Sequence, residues 1–463
     1  MTLVPRMLTH APFWRRLRLS GWSLTHIVRL ITRRRGSPMK DYEKVFTLDP
    51  AAVACPHAAF AKARTETPVD WSEVLQAWVV SDHATSLSIL RDSSNFSNRL
   101  LIGPVADAVW QRMFDVARED EALRARLDSY GSTATKRKVL LFADPPDHTR
   151  DRALVNGALT KGALESWEDR IHELALEFVD VIVREQTVDF ASLVWDFTIT
   201  VMCNILGVPR EDVPRVRQWA DDFTSMVGQL PGASSLEMDR LAASQLEFDQ
   251  YFHDQVDDRL TSPRDDLITR IATMNRDDEH PLERDALLGI FNNMIVGGTE
   301  TSATMLAQLL QHLAQNPGRF SQLREDRTLV PLFIEEMLRD QGPIQGTFRT
   351  AVRDIEVGGH TIRENDNVWL SFHSANHDAA VFSDPTDLDL NRDTRKHLMF
   401  GQGPHHCVGA NLARLELRTM LNLILTTFSE VRLADPATPV PRKSSFLFFG
   451  PAQLDLTFVP ADS

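Results

Sequence analysis

The residues best equipped for chemistry in this 463-residue chain crowd into one stretch near its C-terminus, "HLMFGQGPHHCVGANLAR", residues 397–414. Cys407 is flanked there by Gly401, Gly403 and Gly409 and preceded by His405 and His406, just ahead of a run with helical periodicity. An iron–sulfur cluster usually takes four thiolates, whereas the chain holds only Cys55, Cys203 and Cys407, far apart. Paired zinc ligands such as C-x2-C are absent, and so is the C-x-x-C-H of covalent haem attachment. A nucleophilic cysteine with His405 or His406 as its base stays open, though it leaves the glycines unexplained. A single axial thiolate to haem iron fits the local sequence better. A helix N-terminus favours anionic sulfur, and Gly401 and Gly403 permit a tight turn whose amides point at it. Gly409 leaves room for a flat macrocycle close to the helix backbone.

The elements that must position this loop are mostly helical. Apolar residues recur at three- and four-residue spacing over 163–186 and 240–262, and a longer helix is predicted over 283–318, stopping before Pro317. Gly297 and Gly298 interrupt the middle of that long helix, where each glycine costs up to ~1 kcal/mol relative to alanine. Either a neighbour packs closely against them or the helix is distorted there on purpose. Residues 69–81 read as a hairpin, and 351–371 as short strands turning at Gly358-Gly359. Residues 376–396 are irregular, and strands are predicted around "SFLFFG" (445–450) and "LDLTFV" (454–459). The fold class expected is mainly α with a smaller β portion, in one interlocked domain.

Composition is that of a globular chain, 43% hydrophobic and 25% charged. A net charge of −14 argues against nucleic acid as a partner, since phosphate binding needs a basic surface. Residues 1–39 run against that balance, with eight arginines and no acid; setting their +8 aside from −14 leaves −22 on the remainder. This N-terminal extension reads as a floppy segment, as a targeting peptide or an amphipathic helix making weak membrane contact, or as sequence ahead of a true start at Met39. Three scattered cysteines fit a reducing compartment, and a cytoplasmic monomer is expected. No apolar run reaches the ~18–20 residues of a membrane-spanning helix.

The loop F-G-x-G-x-H-x-C-x-G, here Phe400, Gly401, Gly403, His405, Cys407 and Gly409, resembles the haem-binding signature of the cytochrome P-450 family at every fixed position. Three more patterns are similar to that family's. "EEMLR" supplies Glu336 and Arg339, with Arg392 in "PTDLDLNR" as the third member of a buried network. "GGTET" supplies Gly297, Gly298, Glu300 and Thr301, which the resemblance implies widen the central helix over the iron. Thr301 is then implied to hydrogen-bond oxygen there and Glu300 to help deliver protons. "DPPDHTRDR" and "GTFRTA" nominate His148, Arg152 and Arg349, with His405, as donors to the haem propionates; His406 is a spacer.

The resemblance implies a cytochrome P-450 haem domain over 40–463 with haem b (iron protoporphyrin IX), inserting one atom of O2 into a hydrophobic substrate by hydroxylation or epoxidation. NAD(P)H would supply electrons through a separate ferredoxin and ferredoxin reductase, with Arg395, Lys396, Arg414 and Arg418 as candidates to meet an acidic ferredoxin. By family position, Ile102, Val105, Phe223, Met226, Val296, Ile344, Phe446 and Phe448 are nominated to line the substrate pocket, with Asn292 or Asn293 adding a polar contact. Two alternatives are a peroxide-driven peroxygenase, which tends to lack the acid–threonine pair, and a haem-binding protein without turnover.

Overall fold

The structure is a computed structural model, which describes residues 39–54, 56–98, 139–159, 161–228 and 235–461. The basic segment 1–38 and the pocket nominees Ile102 and Val105 lie outside the described residues. Helix α1 (Met39–Phe46) opens the described chain with Met39, Tyr42, Val45 and Phe46 all buried. Short helices α2 (Pro50–Ala54) and α3 (His57–Glu66) lead into the hairpin of β1 (Val69–Ser72) and β2 (Ala77–Val80), paired from Val69↔Val80 to Ser72↔Ala77.

Helix α4 (His83–Arg91) starts at Asp82, whose side chain accepts from the Thr85 amide, and is followed by β3 (Phe96–Ser97). The helical half comprises α5 (Asp147–Ala158), α6 (Lys161–Glu185), α7 (Phe190–Leu206), α8 (Val213–Gly228), α9 (Ser235–Thr261) and α10 (Leu267–Arg276). The short strand β4 (Thr187–Asp189) joins α6 to α7. At the centre runs α11 (Arg284–Gln315), 32 residues and therefore ~48 Å long. Its residues Ile290, Phe291, Ile295, Leu306, Leu309, Leu310 and Leu313 are all buried. A helix apolar around most of its circumference belongs in the middle of a core, and α7, α13 and α15 pack along it.

Helices α12 (Pro317–Glu325) and α13 (Val330–Gln341) lead to β5 (Gly346–Ala351), the two-stranded turn of β6 (Ile355–Val357) and β7 (His360–Ile362), and β8 (Asn367–Ser371). Gly358 and Gly359 turn β6 into β7 at φ +58° and +77°. The main sheet has order β1-β2-β8-β5-β3, with β2 and β8 parallel. After the four-residue α14 (Phe372–Ala375) the chain is irregular as far as α15 (Ala410–Thr427). Strand β10 (Asp455–Pro460) pairs on one side with β9 (Phe428–Leu433) and on the other with β4.

One expected strand does not form. "SFLFFG" makes only an isolated bridge, Ile344↔Phe448. The Ser445 hydroxyl takes the amides of Leu447 and Phe448 at 3.2 and 3.0 Å, a local arrangement that competes with a ladder. The closing loop is instead fixed to the segment before β5, by Gln345 N–H to Leu447 O (2.8 Å) and Phe449 N–H to Pro343 O (2.9 Å).

Candidate functional site

Cys407 sits two residues before the N-cap of α15, which is Gly409. The loop folds back on itself: Cys407 N–H donates to Phe400 O at 2.8 Å and His406 N–H to Gly403 O at 3.1 Å. Gly401 (φ +67°) and Gly403 (φ +72°) make the turn. At Gly403 a β-carbon would also stand 2.6 Å from Leu90 O, so α4 closes against the loop there. One expectation is corrected here, because the Gly401 amide is taken by Leu398 O (2.8 Å) and does not reach the sulfur. The Gly409 amide is the backbone donor to it. A β-carbon on Gly409 would meet nothing within 4 Å.

Burial pushes the Cys407 thiol up, while the Gly409 amide, Arg152 and Arg414 pull it down. Among the described residues no histidine hydrogen-bonds its sulfur, so the nucleophile–base pair of a cysteine hydrolase is missing. Yet the side chain is exposed although protein encloses it, as for a group facing an internal space.

Four basic side chains gather beside it. His148 stacks on His405 with ring centroids 3.8 Å apart. Burial first, then His148, Arg349 and Arg152, push His405 down to about 3, and its Nε2 is buried without a hydrogen-bond partner. Arg349 is 3% exposed, and burial pulls its guanidinium down to about 10. Its hydrogen bonds reach only Phe348 O (2.7 Å) and Thr347 Oγ1 (3.4 Å). Asp144, whose charge acts on Arg349 from nearby, is held by Ser97 Oγ (2.5 Å) and the Asn98 amide (2.9 Å). Among the described residues neither Arg152 nor Arg349 has a carboxylate partner in an ion pair. This collection of donors suits an anion.

Behind the loop lies a dense network. Glu336 and Arg339, both fully buried, pair through two bonds of 2.8 and 2.9 Å. Arg392 Nε and the Asp389 amide each reach Glu336 Oε1 at 3.0 Å. Arg339 continues to the carbonyls of Asn376 (3.0 Å) and Pro385 (2.8 Å). Sequence reasoning missed the neighbour Glu335. Burial alone would raise its carboxyl, but Arg414 and His397 hold it down to about 2. Arg414 also lies 4.4 Å over the Phe400 ring. Arg395 pairs with Asp393 and Arg418 with Glu168, so three of the four cations proposed to meet a redox partner are already paired.

Helix α11 runs through Gly297–Thr301 without a break. Thr301 Oγ1 donates to Gly297 O at 2.7 Å, the i−4 bond that relaxes a helix locally. The two glycines divide between the readings left open. Gly297 is exposed in mid-helix and has nothing within 4 Å of a β-carbon, whereas one on Gly298 would press to 2.3 Å on Met202 Cε of α7.

Glu300 is buried and accepts from Trp195 Nε1 (2.9 Å), from Thr304 Oγ1 (3.2 Å) and from Lys443 in an ion pair. Nothing in the sequence marks Lys443 or Trp195. Glu416 was also missed; it is fully buried in α15, and burial raises its carboxyl to about 8 despite Ser302 of α11.

Of the pocket nominees, Phe223 and Val296 line one cavity together with Trp219, Phe248, Ile295 and Asn292. Asn292 Nδ2 reaches Gln245 at 3.3 Å, whereas Asn293 turns to Gly289 O (2.8 Å). The side chain of Met226 lies outside the described residues. Phe446 packs on Trp369 and Phe348 (centroids 5.9 and 6.4 Å) in the smaller core, and Ile344 and Phe448 form the bridge already noted.

The family model for cytochrome P450 matches residues 235–451. The nocardicin C N-oxygenase of Nocardia uniformis is 31% identical over 89% of this chain and 97% of its own. The mycinamicin IV hydroxylase/epoxidase of Micromonospora griseorubida is 31% identical over 83% and 90%. A solved structure of a cytochrome P450 from Chondromyces apiculatus superposes with a TM-score of 0.75 at 27% identity, over 90% of this chain and 98% of that one. With this fold and relatives of this kind over most of its length, the chain belongs to the cytochrome P450 family, the haem-thiolate monooxygenases.

Proposed function

We propose that Cys407 is the thiolate ligand of a haem b, and that His148, Arg152, Arg349 and His405 hold its propionates. The observation that carries this is the convergence of those four donors, including an unpartnered buried His405 Nε2, beside an exposed thiol at the start of a helix. The haem domain extends from about residue 40 to 463. Bound haem supplies the activation of O2, with the thiolate donating electron density to the iron.

The chain's own residues orient and protonate. The Gly409 amide steadies the sulfur. Thr301, free of side-chain bulk at Gly297, presents its hydroxyl oxygen while its proton is held by Gly297 O. Glu300 lies one residue away and carries protons toward that hydroxyl. The Glu336–Arg339–Arg392 network keeps the cysteine loop in place.

The substrate is a hydrophobic small molecule, hydroxylated or epoxidised. Support comes from the aromatic and aliphatic lining at Trp219, Phe223, Phe248 and Val296, with Asn292 and Gln245 as polar anchors. Relatives named for N-oxygenation of nocardicin C and for hydroxylation or epoxidation of mycinamicin IV agree with an oxygenase. Electrons come from NAD(P)H through a ferredoxin reductase and ferredoxin. Exposed Lys396 supports this docking, and the ion pairs of Arg395, Arg414 and Arg418 weaken it.

The test is turnover with ferredoxin, its reductase and NADPH on a panel of hydrophobic compounds chosen by their shift of haem from low to high spin. Oxygenated product is expected, and Thr301→Ala should retain haem yet consume NADPH with little product. Coupling unaltered in that variant contradicts the role given to Thr301.

A further inference from the structure

Glu300 is held more tightly than a carboxylate that exchanges protons with water would need. It is 3% exposed, with Trp195 Nε1 on Oε2 at 2.9 Å and Thr304 Oγ1 on Oε1 at 3.2 Å. The Lys443 ammonium completes the shell, paired with Oε1 and 3.1 Å from Thr304 Oγ1. Lys443 belongs to the closing loop, far away in sequence. Its own amide donates to Gly450 O at 3.0 Å, and Gly450 lies so close to α11 that a β-carbon there would stand 2.4 Å from Thr304 Cγ2. The loop is thus seated on the same helical turn that presents Glu300.

Other groups face the pair from α8. Asp221 is half-buried, and burial pushes its carboxyl up to about 6, against Arg217 and Lys443 and with Glu300 and Asp222 adding to the rise. Arg217 is paired with Asp196 and lies 5.4 Å over the Trp195 ring. Among the described residues Lys443 is the only cation in ion-pair contact with Glu300, and its side chain keeps 22% of its surface exposed. Of the three side chains that bond Glu300, with Trp195 and Thr304 buried, it is the one able to swing to solvent.

We propose that Lys443 is a positioning residue for the oxygenation site: its ammonium fixes the place and charge of the Glu300 carboxylate, and the closing loop thereby controls proton entry. This rests on the reading of Glu300 as the proton carrier. When the ammonium swings out, the carboxylate takes one proton from buffered solvent. It passes that proton toward the Thr301 hydroxyl and is ionised again when the ammonium returns.

The experiment compares the haem-loaded wild type with Lys443→Met, Lys443→Arg, Glu300→Gln and the Lys443→Met/Glu300→Gln double variant. Melting temperature is followed from about pH 5 to pH 8, the range where a buried carboxylate without its cation must ionise. Lys443→Met is expected to match the wild type near the acid end and to lose several degrees as pH rises. The loss should vanish in the double variant, and Lys443→Arg should restore the wild-type curve. The fraction of NADPH recovered as product should fall several-fold in Lys443→Met with its pH profile displaced. A melting loss independent of pH overturns the tie to Glu300. The expected melting behaviour with unchanged coupling and pH profile overturns the positioning role, leaving a structural ion pair. Wild-type coupling in Glu300→Gln alone instead sinks the underlying reading of Glu300, and the proposal with it.

Discussion

On the cysteine side, one carboxylate is shared by four donors. Glu336 takes two bonds from Arg339, one from Arg392 and one from the Asp389 amide, and Arg339 then ties down the carbonyls of Asn376 and Pro385. On the α11 side, Glu300 relies on a single cation from a distant loop, and Thr301 on one bond within its own helix. The first arrangement is redundant, with Glu336 and Arg339 fully buried, and it fixes the segment from Asn376 to Arg392 that leads into the cysteine loop. The second depends for its charge balance on one partly exposed cation, Lys443, beside exposed backbone at Gly297, so it can yield when that cation moves. On the proposed roles, the iron ligand Cys407 sits on the redundant side, and the proton-handling Glu300 and Thr301 sit on the other.

The largest expected effect breaks the redundant side. Arg339→Ala strands the buried Glu336 carboxylate and should cost about 3–5 kcal/mol of stability, with haem retention lost, by denaturant titration and haem absorbance. A loss below about 1 kcal/mol would mean that Arg392 and the Asp389 amide suffice alone.

Glu416 sharpens the contrast from within α15. Its carboxyl stands at about 8, above the ordinary carboxylate value, so the folded state binds a proton that the unfolded chain has released. That contribution is intact below about pH 4.5 and is lost progressively as pH rises toward about 8. Glu416→Gln should therefore equal the wild type in acid and exceed it by a few kcal/mol near pH 8, read by melting at each pH. Equal pH dependence in both proteins contradicts this.

Two glycine substitutions give smaller and opposite effects. Gly403→Ala places a side chain at φ +72° against Leu90 O and should destabilise by about 1–3 kcal/mol. Gly297→Ala meets open space in a helix and should stabilise the haem-free protein by up to ~1 kcal/mol. Like signs for the two would erase the difference drawn between the sides.

Legibility in the sequence follows the same division. Cys407 and its glycines are set by short local spacing and could be read directly. Glu336, Arg339 and Arg392 were legible only through the family resemblance, because an i,i+3 pair alone reads as a surface ion pair. The long helix was legible from its apolar periodicity, and its bounds, Arg284–Gln315, lie close to the 283–318 expected. Gly297 and Gly298 were legible as an anomaly but not as two different residues, because that depends on Met202 of α7. Lys443, Trp195 and Glu335 gave no signal, since a pair formed across the chain leaves no periodicity. The "SFLFFG" strand failed because Ser445 offered those amides a nearer acceptor. Phe446 looked like pocket lining by position and packs instead in the smaller core.

The central claim is that Cys407 is the thiolate that holds haem iron. The most direct test is the difference spectrum of the dithionite-reduced protein with carbon monoxide, for the wild type and for Cys407→Ala. The wild type should show the red-shifted band of a thiolate-ligated haem, and Cys407→Ala should lose it. A wild-type protein that binds no haem, or a band that survives in Cys407→Ala, would contradict the account.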